Sequence, residues 1–371
     1  MLTMKKFLQV YLIGLFTLAS VAGCSRGYKR GPTEPSDTGI EPSKTLGATI
    51  EPSKTLGATI ATIDLNSNEP PFKLGEIDAQ FAQDVSYGPY KENVFDIFLA
   101  DSAEPTPLVI HIHGGGFTAG SKSKVYETDR DEILELLSKG VSFATINYRL
   151  LEECDKDGVI KPLSDSRRAL QFLRYHHKQL NIDPARIAVY GTSAGAGTSA
   201  WLAFSDDMAD PNADDPVLRE STRVTAVVAK TPQATYDLFK WETVVFPSLG
   251  LTLQDMFDLL GVSEQGCVAF YGADSLDELS SPKFQAYRAS VDMLALMSRD
   301  DPPIWVENNT KNIGIPTIEK QLSHHVLHAV ALAKRADEVG LECVLYIPSL
   351  GIADPSGDGA VEFLLRQFGL E

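Results

Sequence analysis

The segment Ile187-Ala188-Val189-Tyr190-Gly191-Thr192-Ser193-Ala194-Gly195 limits what this chain can fold into more than any other. Its first four residues read as a strand buried on both faces. Gly191 stops that run, and Ala194 to Phe204 is small and apolar enough for a closely packed helix. A serine set between two glycines, where a buried strand meets a helix, matches the sharp G-x-S-x-G turn that lifts a hydroxyl above the sheet's carboxyl edge. Side chains at Gly191 and Gly195 would collide with the neighbouring strand and helix. A phosphate-binding loop fits less well, because no lysine follows Gly195 as a P-loop requires.

The surrounding chain has the same texture. Strand-like runs occur at Val94–Leu99, Leu108–Ile112, Ser142–Tyr148, Val224–Ala229, Ile304–Val306 and Cys343–Ile347. Helical periodicity marks Ser164–Leu180, Ser323–Val339 and Ala360–Phe368. Strands alternating with helices predict an α/β domain, with a mostly parallel twisted sheet covered by helices on both faces. The irregular, aromatic stretch from Asp237 to about Arg299 lies between two strands and suits a small cap insertion.

A second motif, His113-Gly114-Gly115-Gly116-Phe117, follows the strand ending at Ile112. Three glycines let the main chain approach a substrate and direct N–H groups at it. Gly114 and Gly115, with the Ala194 N–H, are candidates for an oxyanion hole, where one lost donor typically costs ~10²–10³ in rate. His113 sits on this loop and reads as structural.

With both motifs in order, the chain resembles the alpha/beta-hydrolase fold family. The likeness is to carboxylesterases with an HGGG loop, a group that includes bacterial acetyl- and feruloyl-esterase-like proteins and hormone-sensitive-lipase relatives. It covers about Asp84 to Ala200 and includes Asn147-Tyr148-Arg149-Leu150, Asp165 and Asp183-Pro184-Ala185-Arg186 besides the two motifs. The resemblance implies that Ser193 is the nucleophile and that Gly114, Gly115 and Ala194 hold the oxyanion. It implies a carboxylic ester as the small-molecule substrate, and no cofactor. No metal-ligand spacing is evident.

The second half departs from that pattern. The family's acid follows the strand after Pro302-Pro303, in a segment like H-G-x-x-D, and Asn312 falls about there. An amide orients a ring but carries no charge to stabilise an imidazolium. The family's histidine follows the last strand, yet Pro348 to Asp354 has none, and no histidine occurs after His328. A serine without a base is a poor nucleophile. Two readings stand. Either His324 or His325, at the start of the penultimate helix, enters the site from an unusual direction with Glu307, Asn312 or Asp237 beside it, or the His324-His325-His328 cluster is a solvated helix start. The second reading makes the chain a non-catalytic member of the fold that binds an ester- or sugar-like ligand.

The amino-terminal residues read as an address. Lys5 and Lys6 precede an apolar run from Phe7 to Ala22 that is shorter than the ~20 residues a spanning helix needs. The run ends in Val21-Ala22-Gly23-Cys24, which resembles the lipobox of bacterial lipoproteins. That resemblance implies a signal peptide over residues 1–23, lipidation of Cys24 and a protein exported to the cell envelope, where the lipid is its membrane contact. Plain secretion, with Cys24 incidental, is the alternative. Residues 24–71 read as a tether rich in Pro, Ser, Thr and Gly, with the decapeptide Glu41–Ile50 repeated at Glu51–Ile60. Two copies are too few for a solenoid. Residues 72–371 are then the hydrolase-like domain. A formal charge of −17 repels phosphate backbones and argues against a nucleic-acid partner. Cys154, Cys267 and Cys343 leave room for one disulfide that spacing does not assign. Cys24→Ser is expected to yield an uncleaved or mislocalised protein in a fractionation blot, and normal export and release of this variant would exclude the lipobox.

Overall fold

The computed structural model describes residue 63 and residues 65–152, 155–259, 264–357 and 359–370, without the side chains of residues 264–267. The expected signal peptide, Cys24, most of the expected tether with its repeat, and Cys154 lie outside these residues. No described helix is long and apolar enough to cross a membrane.

Eight strands form one sheet in the order β1-β2-β4-β3-β5-β6-β7-β8. They are β1 (Ala79–Ser86), β2 (Val94–Ala100), β3 (Thr106–Ile112), β4 (Ser142–Ile146), β5 (Ile182–Thr192), β6 (Val227–Lys230), β7 (Ile304–Glu307) and β8 (Cys343–Tyr346). β1 and β2 pair antiparallel with their neighbours, and the other pairs are parallel. Every residue of β3 and β4 is buried, which explains why these strands read as unbroken apolar runs and not as alternating ones.

Neighbouring side chains along a strand serve opposite faces. On one face Leu108, Ile110 and Ile112 pack with the helices Ile160–Tyr175, Ala194–Phe204 and Val326–Val339. On the other, Val109, Phe143, Tyr190, Val228 and Trp305 pack under the helices Arg130–Ser138 and Ala360–Phe368. The helix Ala194–Phe204 is buried along its whole length, which its run of Ala, Gly, Ser and Thr makes feasible.

The stretch from Asp237 to Arg299, irregular to the eye in the sequence, is built of short helical turns, among them Leu253–Leu259, Glu264–Tyr271 and Pro282–Ser290. β1 went unmarked in the sequence because its residues AQFAQDVS alternate weakly. Its outer edge is partly covered. Ser67 bridges Ala82, and the Asn68 N–H donates to the Phe81 carbonyl at 2.8 Å. Further back, the Ile63 N–H donates to Gln179 Oε1 at 3.3 Å, just before the amino end of β5.

Order matters here because the chain runs from β3 to β4 on one side and then returns to place β5 on β3's other side. That reversal opens a crevice between the carboxyl ends of β3 and β5, the usual ligand position in an open parallel sheet. The segment flanking it is pinned by Asp165, whose carboxylate accepts from Arg149 Nη2 at 2.6 Å, Arg149 Nε at 2.9 Å, the Arg149 main-chain N–H at 2.9 Å and Asn93 Nδ2 at 3.0 Å. Asp165→Ala strands a buried amide and a guanidinium, and is expected to cost about 3 kcal/mol of unfolding free energy in a urea titration. A loss below ~1 kcal/mol would show that this contact behaves as a surface pair.

Candidate active site

β3 and β5 end side by side, with Ile112 paired to Gly191. Past that point the chain turns sharply at Ser193, whose φ of 56° and ψ of −122° are strained for a residue with a side chain. The Ser193 N–H donates to the Lys230 carbonyl at 2.9 Å, anchoring the turn on β6. Gly195 packs so tightly under β3 that a Cβ there would fall well inside van der Waals contact of the Ile112 carbonyl oxygen. Gly114 lies on the other side of the serine. A Cβ on it would sit 3.1 Å from Ser193 Cβ and 2.7 Å from the Thr192 carbonyl oxygen.

The loop after β3 is held from behind. His113 stacks on Tyr148 with ring centroids 4.2 Å apart, and the Tyr148 hydroxyl donates to the His113 carbonyl at 2.8 Å. Burial lowers the His113 pKa to about 4, partly offset by its contact with the Gly114 carbonyl. A neutral ring locked in this way supports the loop and lies apart from the serine hydroxyl, as its position in the motif led us to expect. Gly115 and Gly116 are exposed, so their main chain is open to an incoming ligand. Ala194 opens its helix, so its N–H belongs to the first turn, which has no intrahelical acceptor.

The third component arrives from the connection between β7 and β8. The helix Glu319–Ser323 ends at His324, and the next begins at Val326. In the turn between them the His324 ring reaches back, and its Nε2 lies 2.7 Å from Ser193 Oγ. Burial, and behind it the charge of Lys320, holds the His324 pKa below its ordinary 6.5. The ring is therefore neutral at pH 7 and has a lone pair with which to take a hydroxyl proton.

The other residues expected at the site are employed elsewhere. His325 is buried and turned away: its Nδ1 accepts the Leu327 N–H at 3.2 Å as a helix cap, and its Nε2 meets the Gly314 carbonyl at 2.9 Å. Both ring nitrogens are used, so His325 is no base. His328 is likewise saturated, between the Ala234 N–H and the Leu322 carbonyl. Asp237 pairs with Arg288 Nε at 3.0 Å and caps the following turn through the Phe239 N–H. Glu307 accepts from Asn309. Asn312 contributes its carbonyl to the Val326 N–H at 3.3 Å. Among the described residues no carboxylate bonds to the second nitrogen of His324. Cys343 has a free thiol whose pKa burial pushes up to about 12.

Three residues were missed in the sequence. Asn308 Nδ2 and Thr310 Oγ1 lie 3.3 and 3.0 Å from the His324 carbonyl, and Gln233 Nε2 donates to the Ser323 carbonyl at 2.9 Å. The available signal was a polar Asn-Asn-Thr run directly after a buried strand.

This sheet, with a serine at the strand-to-helix turn after β5, has the alpha/beta-hydrolase fold. The BD-FAE family model matches residues 95–248. A probable carboxylic ester hydrolase of Mycobacterium tuberculosis, LipM, is 26% identical over 255 residues, covering 66% of this chain and 56% of that protein. Esterase LipQ of the same organism is 30% identical over 172 residues, covering 43% of this chain and 37% of that protein. The chain thus spans less than two thirds of the length of either relative. Among solved structures, a truncated carbohydrate esterase from gut microbiota superposes with a TM-score of 0.54 at 16% identity, over 77% of this chain and 95% of that one. The chain thus has the alpha/beta-hydrolase fold and is similar to carboxylic ester hydrolases.

His325→Ala removes a helix cap and is expected to lower stability by about 1 kcal/mol, whereas His324→Ala, which breaks no helix contact, should shift a thermal melt little. Equal destabilisation by the two would contradict the separate duties read from their hydrogen bonds.

Proposed function

We propose that the protein hydrolyses carboxylic esters, with Ser193 as nucleophile and His324 as general base. The observation that carries this reading is the 2.7 Å approach of His324 Nε2 to Ser193 Oγ, at a turn whose strain exposes the hydroxyl. Ser193 Oγ attacks the acyl carbon as its proton passes to His324 Nε2. The developing oxyanion accepts hydrogen bonds from the N–H groups of Gly114, Gly115 and Ala194. Collapse expels the alcohol, which takes its proton from the His324 imidazolium. Water then attacks the acyl-enzyme, giving a proton to His324, and the acid leaves as Ser193 recovers its hydrogen. The relatives' printed descriptions support an ester substrate, and Ile313, Ile315 and Ile318, exposed on the loop after β7, offer apolar surface on the same edge of the sheet as the serine. We place this activity on a lipoprotein held at the cell envelope through Cys24, a reading supported by the lipobox-like residues Val21 to Cys24.

The test is hydrolysis of short-chain p-nitrophenyl esters together with fluorophosphonate labelling. Ser193→Ala should abolish labelling and lower turnover by at least ~10³-fold, and His324→Ala should lower turnover similarly. The base acts only when neutral, and its pKa lies below 6.5. Activity is therefore complete near neutrality and is lost as pH falls through that lowered value. Wild-type protein without turnover on any ester would favour the ligand-binding alternative, and an acid limb above pH 6.5 would exclude His324 as the base.

A further inference from the structure

Resting on the hydrolase reading above, one task in the mechanism has no obvious holder. In a serine–histidine–acid triad the acid does two things. It fixes the ring's orientation, and it stabilises the imidazolium by its charge. His324 has a depressed pKa in which burial leads and a neighbouring lysine adds to the effect, and among the described residues no carboxylate contributes an opposing attraction.

We infer that the site works as a serine–histidine dyad in which Asn308, with Thr310 and Gln233, orients His324 by gripping the main chain on either side of it, while no described residue fills the electrostatic half of the acid's role. The grip is two-sided. Gln233 Nε2 holds the Ser323 carbonyl at 2.9 Å, and Asn308 Nδ2 and Thr310 Oγ1 flank the His324 carbonyl at 3.3 and 3.0 Å. Asn308 is fully buried; its own Oδ1 accepts the Thr310 N–H at 3.0 Å and lies 2.7 Å from Thr310 Oγ1, whose one hydrogen is shared between that oxygen and the His324 carbonyl. With its oxygen so engaged, the amide must present its nitrogen to His324. Both flanking peptides carry further bonds, from the His324 N–H to the Lys320 carbonyl at 3.2 Å and from the His325 N–H to the Leu322 carbonyl at 3.3 Å. Fixing the main chain fixes where the His324 Cβ lies and which χ1 wells are open to it, and so narrows the positions the ring can take.

The groups facing this turn agree. His325 and His328 each spend both ring nitrogens on main-chain partners, Asp237 is paired with Arg288, and Glu307 is engaged by Asn309. Lys320 is the remaining nearby charge, and it disfavours the imidazolium. Asn308, Thr310 and Gln233 touch neither the serine nor the ring, so they are positioning residues.

The experiment uses the full chain with p-nitrophenyl acetate, following kcat, KM and the pH profile. Asn308→Ala should lower kcat about 10- to 100-fold, leave KM within about twofold and leave the acid limb in place, and Asn308→Asp, which loses the amide donor, should also lower kcat. A catalytic acid would instead shift that limb. Thr310→Val should cost less than Asn308→Ala, and Thr310→Ser should retain wild-type kcat. Glu307→Gln and Asp237→Asn should each change kcat less than about threefold, and proton NMR should lack the strongly downfield Nδ1–H resonance of a carboxylate-bound histidine. If Asn308→Ala does not fold, Gln233→Ala and Thr310→Val carry the same kcat-against-KM comparison. Wild-type kcat in the folded positioning variants, a collapse of kcat in Glu307→Gln or Asp237→Asn, or that downfield resonance overturns the proposal while dependence on Ser193 and His324 stands. Absence of Ser193-dependent turnover in the wild type overturns the hydrolase reading and this one with it.

Discussion

The approach of Gly195 to the end of β3 is the constraint on which the site depends. The first turn of the buried helix Ala194–Phe204 sits against the Ile112 carbonyl with no room for a methyl group. That contact forces the serine ahead of it into its strained backbone, and brings the loop after β3 within reach of the serine from the other side. The reversal of strand order between β3 and β5 makes these two strand ends neighbours. Close packing, strain and topology are thus one arrangement, and the serine hydroxyl is its product.

Three histidines within five residues illustrate how local hydrogen bonding divides identical side chains. His328 lies in apolar surroundings against Trp241 and Phe246, and burial drives its pKa down to about 3. It is a neutral structural strut. His325 caps the helix that His324 precedes. His324 alone directs a ring nitrogen at a side-chain hydroxyl. Proximity in sequence carried no information about this division, because each outcome depends on which main-chain groups the fold brings to the ring.

The first half of the domain was legible for a physical reason. Strands buried on both faces leave largely apolar runs, and turns without space for a Cβ demand glycine, so β3, β4 and both glycine motifs could be placed to within about two residues, whereas β5 begins at Ile182, ahead of the Ile187 that the apolar run marked. The helices Ala194–Phe204 and Ala360–Phe368 fell on their observed bounds. The second half was harder. The cap's short helices are held by aromatic and side-chain contacts that leave no period. A partner for Ser193 was narrowed to two adjacent histidines, and the choice between them turns on a hydrogen bond across 131 residues of sequence. Asn308, Thr310 and Gln233 act on carbonyl groups, which every residue possesses, so the polar run after β7 marked Asn308 and Thr310 without naming their target.

The route by which the chain enters the domain has a mechanical consequence. Ile63 is fastened at Gln179, beside the amino end of β5, whereas Ser193 follows the carboxyl end of the same strand. Eleven residues separate those ends in the strand, roughly 30 Å at the usual rise of an extended chain. Ile63 therefore meets the floor of the central sheet, a full strand length from the rim that holds Ser193 and His324, so a change at that floor contact leaves the reacting groups untouched.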